Sequence, residues 1–548
     1  MKRGGSSEAA DEISTPVCFS INAPPCSLWG VDGADVLLYR IRNTWRRHGL
    51  LGIIYGVWRR VWPDGRPNLS HTKQEILNAA QRVSNIEADF KYKPLISILC
   101  PVCDPRLEDI QALVSSVFAQ QYPHWEVCFA DDASVNHEVI QYLNDISAEN
   151  PERVRLTTLS SRSHIVAASN AALEMASGEY IALLDHDDLL APHALSCIVE
   201  RLQAEEHPEI LYSDEVKIDE SGEVIEVHEK PSWSPMYFRS FMYTGHLTVY
   251  AKTLIDSIGG FQTGFDGSQD YELFLRAARV ANNIAHIPEK LYYWRSHSGS
   301  VAASLEAKPY AFEAAQRALK KNIEEVTLEF PLQVDSGDYP GITRYVSKHP
   351  TPEVISFAAS SSREEIAHFL RQSSEQYVCL VRDDCPTPST SSLRKLLTPL
   401  AFPDVFCTLP IITAGWRPKV LAAGYSRTER GMKPNLRNHS TLIGAPGHRL
   451  YCCHEVEIAP FYIVCGRRHE MIMALEKTAE KNHDFDIFIP AGMSPIVVPE
   501  TRFRAPTMIQ KEIQSIDTFN GLRFSVLFPF DSECISAEQI ASQSFGER

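Results

Sequence analysis

Three carboxylates and a histidine follow one apolar run in the middle of the chain. Residues 180–184 have the length and composition of a buried strand, and Asp185, His186, Asp187 and Asp188 come directly after it. Like charges this close together are costly unless a cation neutralises them, and Mg²⁺ and Mn²⁺ prefer carboxylate oxygens together with substrate phosphates. These residues therefore predict a metal–diphosphate site, with an acidic, solvated turn as the alternative.

The segments around this acidic turn alternate between strand-length apolar runs and helical patterns. Strands are predicted at residues 95–102, 125–130, 154–159 and 180–184, and helices at residues 107–120, 138–149 and 165–175. Such alternation is typical of a mainly parallel, doubly wound α/β sheet. Because ligands of open α/β sheets bind at the carboxyl ends of the strands, the strand-end acids Asp131 and Asp132 are expected near Asp185.

Short motifs follow one another in a defined order across residues 93–305. They include Pro101-Val102, Asp131-Asp132-x-Ser134, Asp185-His186-Asp187-Asp188, Tyr212-Ser213-Asp214-Glu215, Lys230-Pro231-x-Trp233, His246-Leu247, Gln269-Asp270-Tyr271 and Trp294-Arg295-x-His297. Their order and spacing resemble family 2 glycosyltransferases of the GT-A fold, most of all the bacterial branch that builds O-antigen and other cell-surface polysaccharides. The resemblance implies a doubly wound mixed GT-A sheet. It also implies transfer of a sugar, with inversion, from a nucleotide-diphosphate donor to a hydroxyl of a saccharide or polyprenyl-linked saccharide.

Such a transfer needs a pocket for the nucleotide and a clamp on the diphosphate leaving group. The resemblance assigns the pocket wall to Pro101 and Val102, and the hydrogen-bond acceptors to Asp131 and Asp132. One of these two acids is expected to contact the nucleobase, and the sequence leaves open which one. Arg295 is expected to bind the leaving phosphates through a bidentate contact.

The resemblance also implies a divalent cation, Mg²⁺ or Mn²⁺, that neutralises the charge of the diphosphate. Its expected ligands are Asp187, Asp185 and His297, and Asp185 would thereby also contact the donor. A surface hydrogen bond is the alternative role of His297. Asp188 is expected instead to cap the helix predicted after Pro192.

Asp270 is the candidate general base. It lies in the first turn of a helix predicted for residues 271–280, where the helix dipole and free N–H groups stabilise a carboxylate. A simple helix cap is the alternative, but it leaves the neighbouring Gln269 unexplained. Gln269, Trp233 and His246 are expected to contact the acceptor or the donor sugar, with core packing as the alternative for Trp233.

Two short segments depart from the family pattern. Arg162-Ser163-His164-Ile165 stands where relatives have Asn-x-Gly-Ile, and Cys103-Asp104 stands where they have Tyr-Asn. The first change brings bulk and charge close to the donor pocket. It therefore bears on the identity of the donor, a hexosyl or deoxyhexosyl nucleotide, more than on the chemistry.

The composition is that of a globular protein of several domains. The chain has 548 residues, enough for roughly two to four domains. Its 53 Lys and Arg against 69 Asp and Glu give a formal net charge of −16, which argues against a nucleic-acid binder. The 13 cysteines show no zinc or disulfide spacing, and no export signal or membrane-spanning run is evident, so we expect a cytoplasmic protein.

An extension of residues 1–90 precedes the predicted catalytic domain, which we place at residues 91–330. Residues 36–62, which begin at Val36 and end at Trp62, combine arginines with tryptophans and aliphatic residues and contain no acid. Such a segment suits an interfacial helix on an anionic membrane, which would make the protein peripheral on the inner face of the cytoplasmic membrane. Packing on the catalytic domain is an equal alternative.

Residues 342–548 are predicted to form a second, smaller, degenerate GT-A-like α/β domain. Residues 377–384 are similar to residues 180–187, and residues 484–489 and 497–500 are similar to residues 270–275 and 286–289. About twenty residues separate its first two strands, too few for a nucleotide-binding half. Because Arg382 replaces the first acid of the metal motif, we expect it to pair with the remaining acids. The domain would then be structural, acceptor-guiding or dimerising, and a homo-oligomer is one expectation.

Two other functions compete with the glycosyltransferase. A nucleotidyltransferase also uses paired aspartates and Mg²⁺, but it would carry a glycine-rich, basic loop after the first strand, which residues 101–109 lack. A non-catalytic carbohydrate-binding or scaffold protein is the other alternative. It predicts that replacement of Asp187 leaves donor hydrolysis unchanged.

Overall fold

A computed structural model gives the three-dimensional structure of the chain. It describes residues 69–86, 89–204, 207–296, 309–337, 341–414, 419–422, 425–428, 431–434, 454–455, 462–478, 486–489, 493–504 and 526–529. The predicted surface segment at residues 36–62 and the predicted metal ligand His297 lie outside the described residues.

A nine-stranded mixed sheet forms the larger of two units. Its strands are β1 (Ile96–Val102), β2 (Trp125–Asp131), β3 (Val154–Thr158), β4 (Tyr180–Leu183), β5 (Leu189–Leu190), β6 (Ile210–Ile218), β7 (Val224–His228), β8 (Thr248–Ala251) and β9 (Ile284–Arg295). Their order is β3-β2-β1-β4-β8-β6-β9-β5, with β7 paired to β6. Strands β3, β2, β1 and β4 are parallel, as are β6 and β9, whereas β8 and β5 run antiparallel to their neighbours.

Helices pack around this sheet and bury its central strands. They are α1 (Leu69–Ile86), α2 (Leu107–Phe118), α3 (His137–Glu149), α4 (His164–Met175), α5 (Ala194–Arg201), α6 (Pro235–Ser240), α7 (Lys252–Ser257), α8 (Gln269–Ala278) and α9 (Pro309–Glu325). All 7 residues of β2 are buried, as expected for a parallel strand covered on both faces. In α2 the buried apolar side chains recur at helical spacing, at Ile110, Leu113, Val114 and Val117.

The predicted alternation of strands and helices is confirmed. The sheet is more mixed than the alternation indicates, because β8 enters between β4 and β6 and runs antiparallel to both. The chain reverses its direction of strand addition between β1 and β4, where parallel sheets leave a crevice for ligands. The acidic turn after β4 therefore lies at this crevice.

A second, seven-stranded sheet forms the smaller unit. Its strands are β12 (Glu353–Phe357), β13 (Tyr377–Arg382), β14 (Val405–Ala414), β15 (Lys419–Ala422), β18 (His454–Glu455), β19 (Ile463–Arg467) and β21 (Ser494–Arg504). Helices α10 (Arg363–Gln372), α11 (Thr390–Leu397) and α12 (Arg468–Thr478) and a 3₁₀ turn (Thr398–Ala401) accompany it. Three two-stranded pairs complete the described strands: β10 (Leu332–Ser336) with β11 (Thr343–Ser347), β16 (Tyr425–Thr428) with β17 (Gly431–Pro434), and β20 (Asp486–Ile489) with β22 (Val526–Pro529).

The two sheets share one pattern of strand pairing. In the larger sheet, β1-β4-β8-β6-β9 pair in the sense parallel, antiparallel, antiparallel, parallel, and β12-β13-β19-β14-β21 repeat that sense strand for strand. The hairpin partner β15 of β14 likewise corresponds to β7 of β6. Helix α10 alone joins β12 to β13, so among the described residues the smaller sheet has no counterpart of β2 and β3. The predicted degenerate second α/β unit is therefore confirmed.

One part of the predicted repeat is wrong. Residues 486–489, whose sequence is similar to the start of helix α8, form strand β20 paired with β22. A short apolar run of this kind suits a strand as well as a helix, and the neighbouring strand decides between them.

Replacing Gly178 with alanine should destabilise the larger unit by about 1–3 kcal/mol. A Cβ atom at this position would lie 2.6 Å from the carbonyl oxygen of Leu95 and 2.7 Å from the backbone nitrogen of Ser97, neither of which can move without disturbing β1. Chemical denaturation measures the loss. The control is Gly222→Asn, since Gly222 has φ +82 and open space around it, and asparagine tolerates this conformation. Equal losses in the two variants would contradict the prediction.

Candidate active site

A cavity opens at the carboxyl ends of β1 and β4. It contains about 570 Å³ of space not filled by atoms, part of it open to solvent. Residues predicted from the sequence to act on substrate line it, namely Pro101, Asp185, His246, Gln269 and Asp270. Its apolar walls come from Leu99, Ile165, Leu183, Met242, Tyr250 and Phe261. The acidic turn and the candidate base, which are far apart in the sequence, therefore share one cleft.

Asp185, Asp188 and His246 form a group with the composition of a metal site. One oxygen of each carboxylate and one imidazole nitrogen lie within 4.8 Å of one another, and His246 Nε2 is 3.9 Å from Asp185 Oδ2. Carboxylate oxygens with one imidazole suit Mn²⁺ or Mg²⁺. The sequence pointed to Asp187 and His297 beside Asp185. Asp187 is not a member of this group, so its metal contact stays a prediction.

The pairing of β5 with β9 holds the acidic turn in place. Asp188 is buried and accepts hydrogen bonds from Tyr292 Oη and from the backbone N–H of Arg295, both at 2.7 Å. Burial, reinforced by the neighbouring aspartates, raises the pKa of Asp188 well above its usual value. The expectation that Asp188 caps the next helix is wrong, because β5 follows it and α5 begins only at Ala194.

Arg295 supports the same turn with its side chain. Its Nε donates a hydrogen bond to the carbonyl oxygen of Asp187 at 2.9 Å, and its guanidinium lies 3.4 Å from Asp109 Oδ1. The side chain is buried, which leaves it next to the acidic turn rather than extended into solvent. Its predicted phosphate contact stays a prediction.

A buried ion pair holds the loop that carries His246. Lys230 Nζ lies 3.1 Å from Glu215 Oε2 and also donates to the carbonyl oxygens of Thr244 and His246. Glu215 Oε2 accepts the backbone N–H of His246 at 2.8 Å. Removal of one partner from such a pair typically costs about 3–5 kcal/mol, so the loop is firmly tied.

Sequence reasoning gave no role to Glu215 and Lys230. The available signal was a pair of acids, Asp214 and Glu215, inside the buried strand β6. Buried acids of this kind require partners, and Asp214 finds its own in the backbone N–H of Lys230 at 2.9 Å and in His286 at 2.8 Å.

His228 completes this charged network. Its Nδ1 lies 2.9 Å from Glu215 Oε1. Burial lowers the pKa of His228, but hydrogen bonds to Glu215 and Glu226 outweigh burial and raise the pKa to about 9. Burial also raises the pKa of Glu215, but the charge of Lys230 and the hydrogen bond from His228 hold it well below its usual value. At neutral pH the network therefore contains two cations around one buried carboxylate.

The imidazole of His246 is fixed from a second side by β9. Its ring stacks on Tyr292 with centroids 4.6 Å apart. Because the hydroxyl of Tyr292 also binds Asp188, one tyrosine side chain aligns both a carboxylate and the histidine of the candidate metal group.

Asp270 lies in the first turn of α8, as predicted. Its Oδ1 accepts the N–H of Tyr271 at 2.8 Å, and the N-cap position belongs to Ser268. Burial raises the pKa of Asp270, opposed in part by the charge of His246 and by the bond to Tyr271. A half-buried carboxylate whose pKa lies above its usual value is suited to accept a proton.

The acids at the end of β2 organise the loops around the predicted nucleotide pocket. Asp132 accepts the N–H groups of Ser163 at 2.6 Å and His164 at 3.0 Å, and Asp131 accepts that of Ser134 at 3.2 Å. Both carboxylates are buried. Which of them contacts a nucleobase stays open, as the sequence left it.

The two departures from the family pattern meet in space. Arg162 forms an ion pair with Asp104, which also accepts the N–H of Val135 at 2.6 Å. His164 has φ +68, a left-handed conformation that glycine adopts most readily, so the glycine expected there from the family pattern would fit this backbone. The pair joins the loop after β1 to the loop before α4 beside the predicted donor pocket.

Trp233 and Val102 lie outside the lining of the cavity. The ring of Trp233 stacks on Phe274 with centroids 5.2 Å apart and contacts Phe238 and Tyr243. Val102 is fully buried, although its carbonyl oxygen accepts the N–H that follows β2. Core packing accounts for both positions, and their substrate contacts stay predictions.

Comparison with known proteins places this chain in a family. Residues 97–254 match the family model for glycosyl transferase family 2. The putative colanic acid biosynthesis glycosyl transferase WcaA of Escherichia coli K12 is 30% identical over 196 residues, which cover 34% of this chain and 67% of WcaA. The chain belongs to glycosyl transferase family 2. The predicted GT-A fold class, a mixed sheet followed by a second α/β unit, agrees with this membership and is confirmed.

Other relatives of this family 2 glycosyltransferase are longer. The O-antigen biosynthesis protein RfbC of Myxococcus xanthus is 30% identical over 309 residues, covering 51% of this chain and 24% of RfbC. The uncharacterised protein y4gI of Sinorhizobium fredii is 42% identical over 250 residues, covering 45% of this chain and 27% of y4gI. The chain therefore spans about a quarter of the length of these two curated relatives.

Solved structures that align with this chain include two complexes with nucleotide sugars. One is Staphylococcus aureus TarS residues 1–349 with UDP-GlcNAc, 21% identical with a TM-score of 0.35, covering 43% of this chain and 68% of that chain. The other is the mannosyltransferase PcManGT of Pyrobaculum calidifontis with GDP-Man and Mn²⁺, 16% identical with a TM-score of 0.34, covering 47% and 75%.

Replacing His228 with glutamine should remove a pH-dependent part of the stability of this family 2 chain. The folded pKa of about 9 exceeds the unfolded value of about 6.5, so protonated His228 stabilises the fold fully below about pH 6.5. This contribution, on the order of 1–3 kcal/mol, is lost as the pH rises through 9. Denaturant unfolding at about pH 6 and about pH 9.5 should show a steeper loss in the wild type than in His228→Gln. Substitution of the exposed His124 is the control. An identical pH dependence of the unfolding free energy in the wild type and in His228→Gln would contradict the prediction.

Proposed function

We propose that this chain transfers a sugar from a nucleotide-diphosphate donor to a hydroxyl of a saccharide or polyprenyl-linked saccharide, with inversion, during synthesis of a bacterial surface polysaccharide. The observation that carries the proposal is the shared cavity, in which Asp185, His246 and Asp270 meet at the strand ends. The names of two relatives support the pathway. WcaA is named as a putative colanic acid biosynthesis glycosyl transferase, and RfbC is named as an O-antigen biosynthesis protein. A nucleotidyltransferase lacks such support.

The acidic turn would hold Mg²⁺ or Mn²⁺. Asp185 supplies one ligand, with Asp187 or Asp188 as the second acid, and His246 or His297 as the imidazole. The group of Asp185, Asp188 and His246 supports this assignment, because its carboxylate oxygens and imidazole nitrogen lie close enough to share one ion. When bound, the cation supplies charge that stabilises the departing diphosphate.

Asp270 would act as the general base. The acceptor hydroxyl gives its proton to the carboxylate of Asp270 while its oxygen forms a bond to the anomeric carbon, and the bond from that carbon to the diphosphate oxygen breaks. Attack from the face opposite the leaving group inverts the configuration. His246 and Gln269, which also line the cavity, can hydrogen-bond the sugar hydroxyls and orient them for this displacement.

The cellular setting forms part of the proposal. Among the described residues no helix combines the length and the apolar character needed to span a membrane. We place the protein in the cytoplasm, held on the inner face of the membrane by the basic, aromatic segment at residues 36–62, where polyprenyl-linked acceptors are presented. Self-association into a homo-oligomer stays a prediction.

A screen of nucleotide sugars should reveal one donor that stabilises the protein only with a divalent cation. Thermal unfolding would be followed with each donor, with and without Mn²⁺. Binding at 100 times the dissociation constant adds about 2.7 kcal/mol, which is a shift of several degrees. Asp187→Ala should lose this shift and the accompanying donor hydrolysis. Full retention of both in Asp187→Ala would favour a non-catalytic binding protein.

Replacing Asp270 with asparagine should lower the rate of transfer about 10²–10⁴-fold, because the amide cannot take the proton of the acceptor. The donor-dependent thermal shift should persist, since Asp270 is not required to bind the diphosphate. Release of the nucleoside diphosphate from the donor identified in the screen measures the rate. Asp256→Asn is a matched control, because Asp256 pairs with Lys252 on the surface. An active Asp270→Asn enzyme would remove Asp270 from the mechanism.

A further inference from the structure

Helix α6 (Pro235–Ser240) belongs to the cores of both units. Met236 is part of the apolar core of the smaller unit, whereas Tyr237 and Phe238 are part of the core of the larger one. The helix has only 6 residues, so neighbouring side chains of one short element contact both units.

Arg239 ties α6 to the smaller unit. Its guanidinium lies 3.2 Å from Asp404 Oδ2 and 4.3 Å above the ring of the buried Phe402. The carbonyl oxygen of Arg239 accepts a hydrogen bond from Tyr345 Oη at 3.0 Å. With 16% of its side chain exposed, this cation is partly desolvated, and both the ion pair and the ring contact are stronger than at an open surface.

The other side of α6 contacts the helix that carries Asp270. The carbonyl oxygen of Phe238 accepts a hydrogen bond from Tyr271 Oη at 2.5 Å, and its ring packs edge-on against Tyr271 at 5.0 Å. The same ring lies 4.5 Å from that of Phe274. Tyr271 follows Asp270 directly in α8, so α6 contacts the turn that holds the candidate base.

Helix α6 also leads into the wall of the cavity. The ring of Tyr237 stacks on that of Tyr243 with centroids 4.6 Å apart. Met242 lines the cavity, as do Gly245 and His246 a few residues further on. One short helix therefore supports two sides of the same cleft.

In the smaller unit, an arginine and a tyrosine occupy the corner that corresponds to the acidic turn. Continuing the registers of β4–β8 and β13–β19 places Arg382 at the position of Asp185, and Tyr462 at that of His246. Arg382 donates to both carboxylate oxygens of Asp384 at 2.7 and 2.8 Å and lies 4.7 Å over the ring of Tyr462. The predicted ion pair of Arg382 is thus confirmed for one of the two remaining acids, Asp384, and a side-chain cation stands where the larger unit gathers acids.

We propose that the smaller unit acts as a brace: through its contacts with α6 it holds α8, the helix that carries Asp270, in position. Arg239 is the positioning residue that makes these contacts. The inference rests on the proposed function, because the placement of Asp270 matters for rate only if Asp270 accepts the proton. The smaller unit packs on one side of α6, and the other side of α6 packs against α8 and against the segment that contains Met242. Arg239 itself lies outside the cavity lining.

Replacing Arg239 with alanine should lower kcat about tenfold. The donor KM should stay within about twofold, since Asp185 lies at the end of β4 and the backbone of His246 is held by Lys230 and Glu215 rather than by α6. Amide hydrogen exchange should become faster in α6 and in the first turn of α8. Arg239→Lys, which keeps the charge and the contact with Phe402, should restore part of kcat. Asp404→Asn should reproduce a weaker form of the same defect.

Arg371→Ala is the matched control, because Arg371 pairs with Glu476 inside the smaller unit and away from α6. It should change neither kcat nor exchange in α8. The brace is refuted if Arg239→Ala leaves exchange in α8 unchanged, or if Arg371→Ala has the same effect. A wild-type protein without transferase activity would refute the proposed function. Because hydrogen exchange needs no substrate, the exchange rates in α8 would still test the brace in that case.

Discussion

The crowding of acids after β4 is the constraint on which the rest of this structure depends. Residues 185–188 place three carboxylates in a single turn, and their mutual repulsion has to be offset by hydrogen bonds or by a cation. Strand β9 supplies the hydrogen bonds, because Tyr292 and the N–H of Arg295 take Asp188 into the interior. Asp185 is thereby left at the mouth of the cavity beside His246. The arrangement keeps a cluster of acids in a folded protein, which the proposed cation and diphosphate would complete.

A second constraint on the site is a buried pair of opposite charges. Glu215 and Lys230 are both buried, and apolar residues in their place would often be no less stable. The pair instead fixes the backbone of residues 244–246 through hydrogen bonds. Gly245, which has φ +44, fits beside it, because a Cβ at this position would come within 2.9 Å of Glu215 Oε2. The loop therefore has one conformation, and His246 is presented to the cavity from a fixed backbone.

The two sheets show how one pairing pattern supports different roles. Both keep the central parallel and antiparallel pairs, whose buried apolar strands make the core of each unit. They differ at the strand ends, where substitution leaves the core intact. In the larger unit the corner collects Asp185 and His246, and in the smaller unit Arg382 and Tyr462 replace them. The fold is thus retained where packing demands it, while the chemistry of the corner has changed.

Local patterns in the sequence determined the alternating strands and helices, the acidic turn, the candidate base in the first turn of α8, and the degenerate corner at Arg382. Each of these depends on neighbouring residues, so periodicity, strand length and motif order were enough to predict them. The partners of the site came only from the tertiary structure. Asp188 turned inward because β5 pairs with the distant β9, and His246 joined the acids because β8 runs beside β4. Likewise, nothing local indicated that α6 would bury side chains in two cores. Such contacts depend on which strands become neighbours, and that is decided by the burial of the whole apolar surface rather than by any one segment.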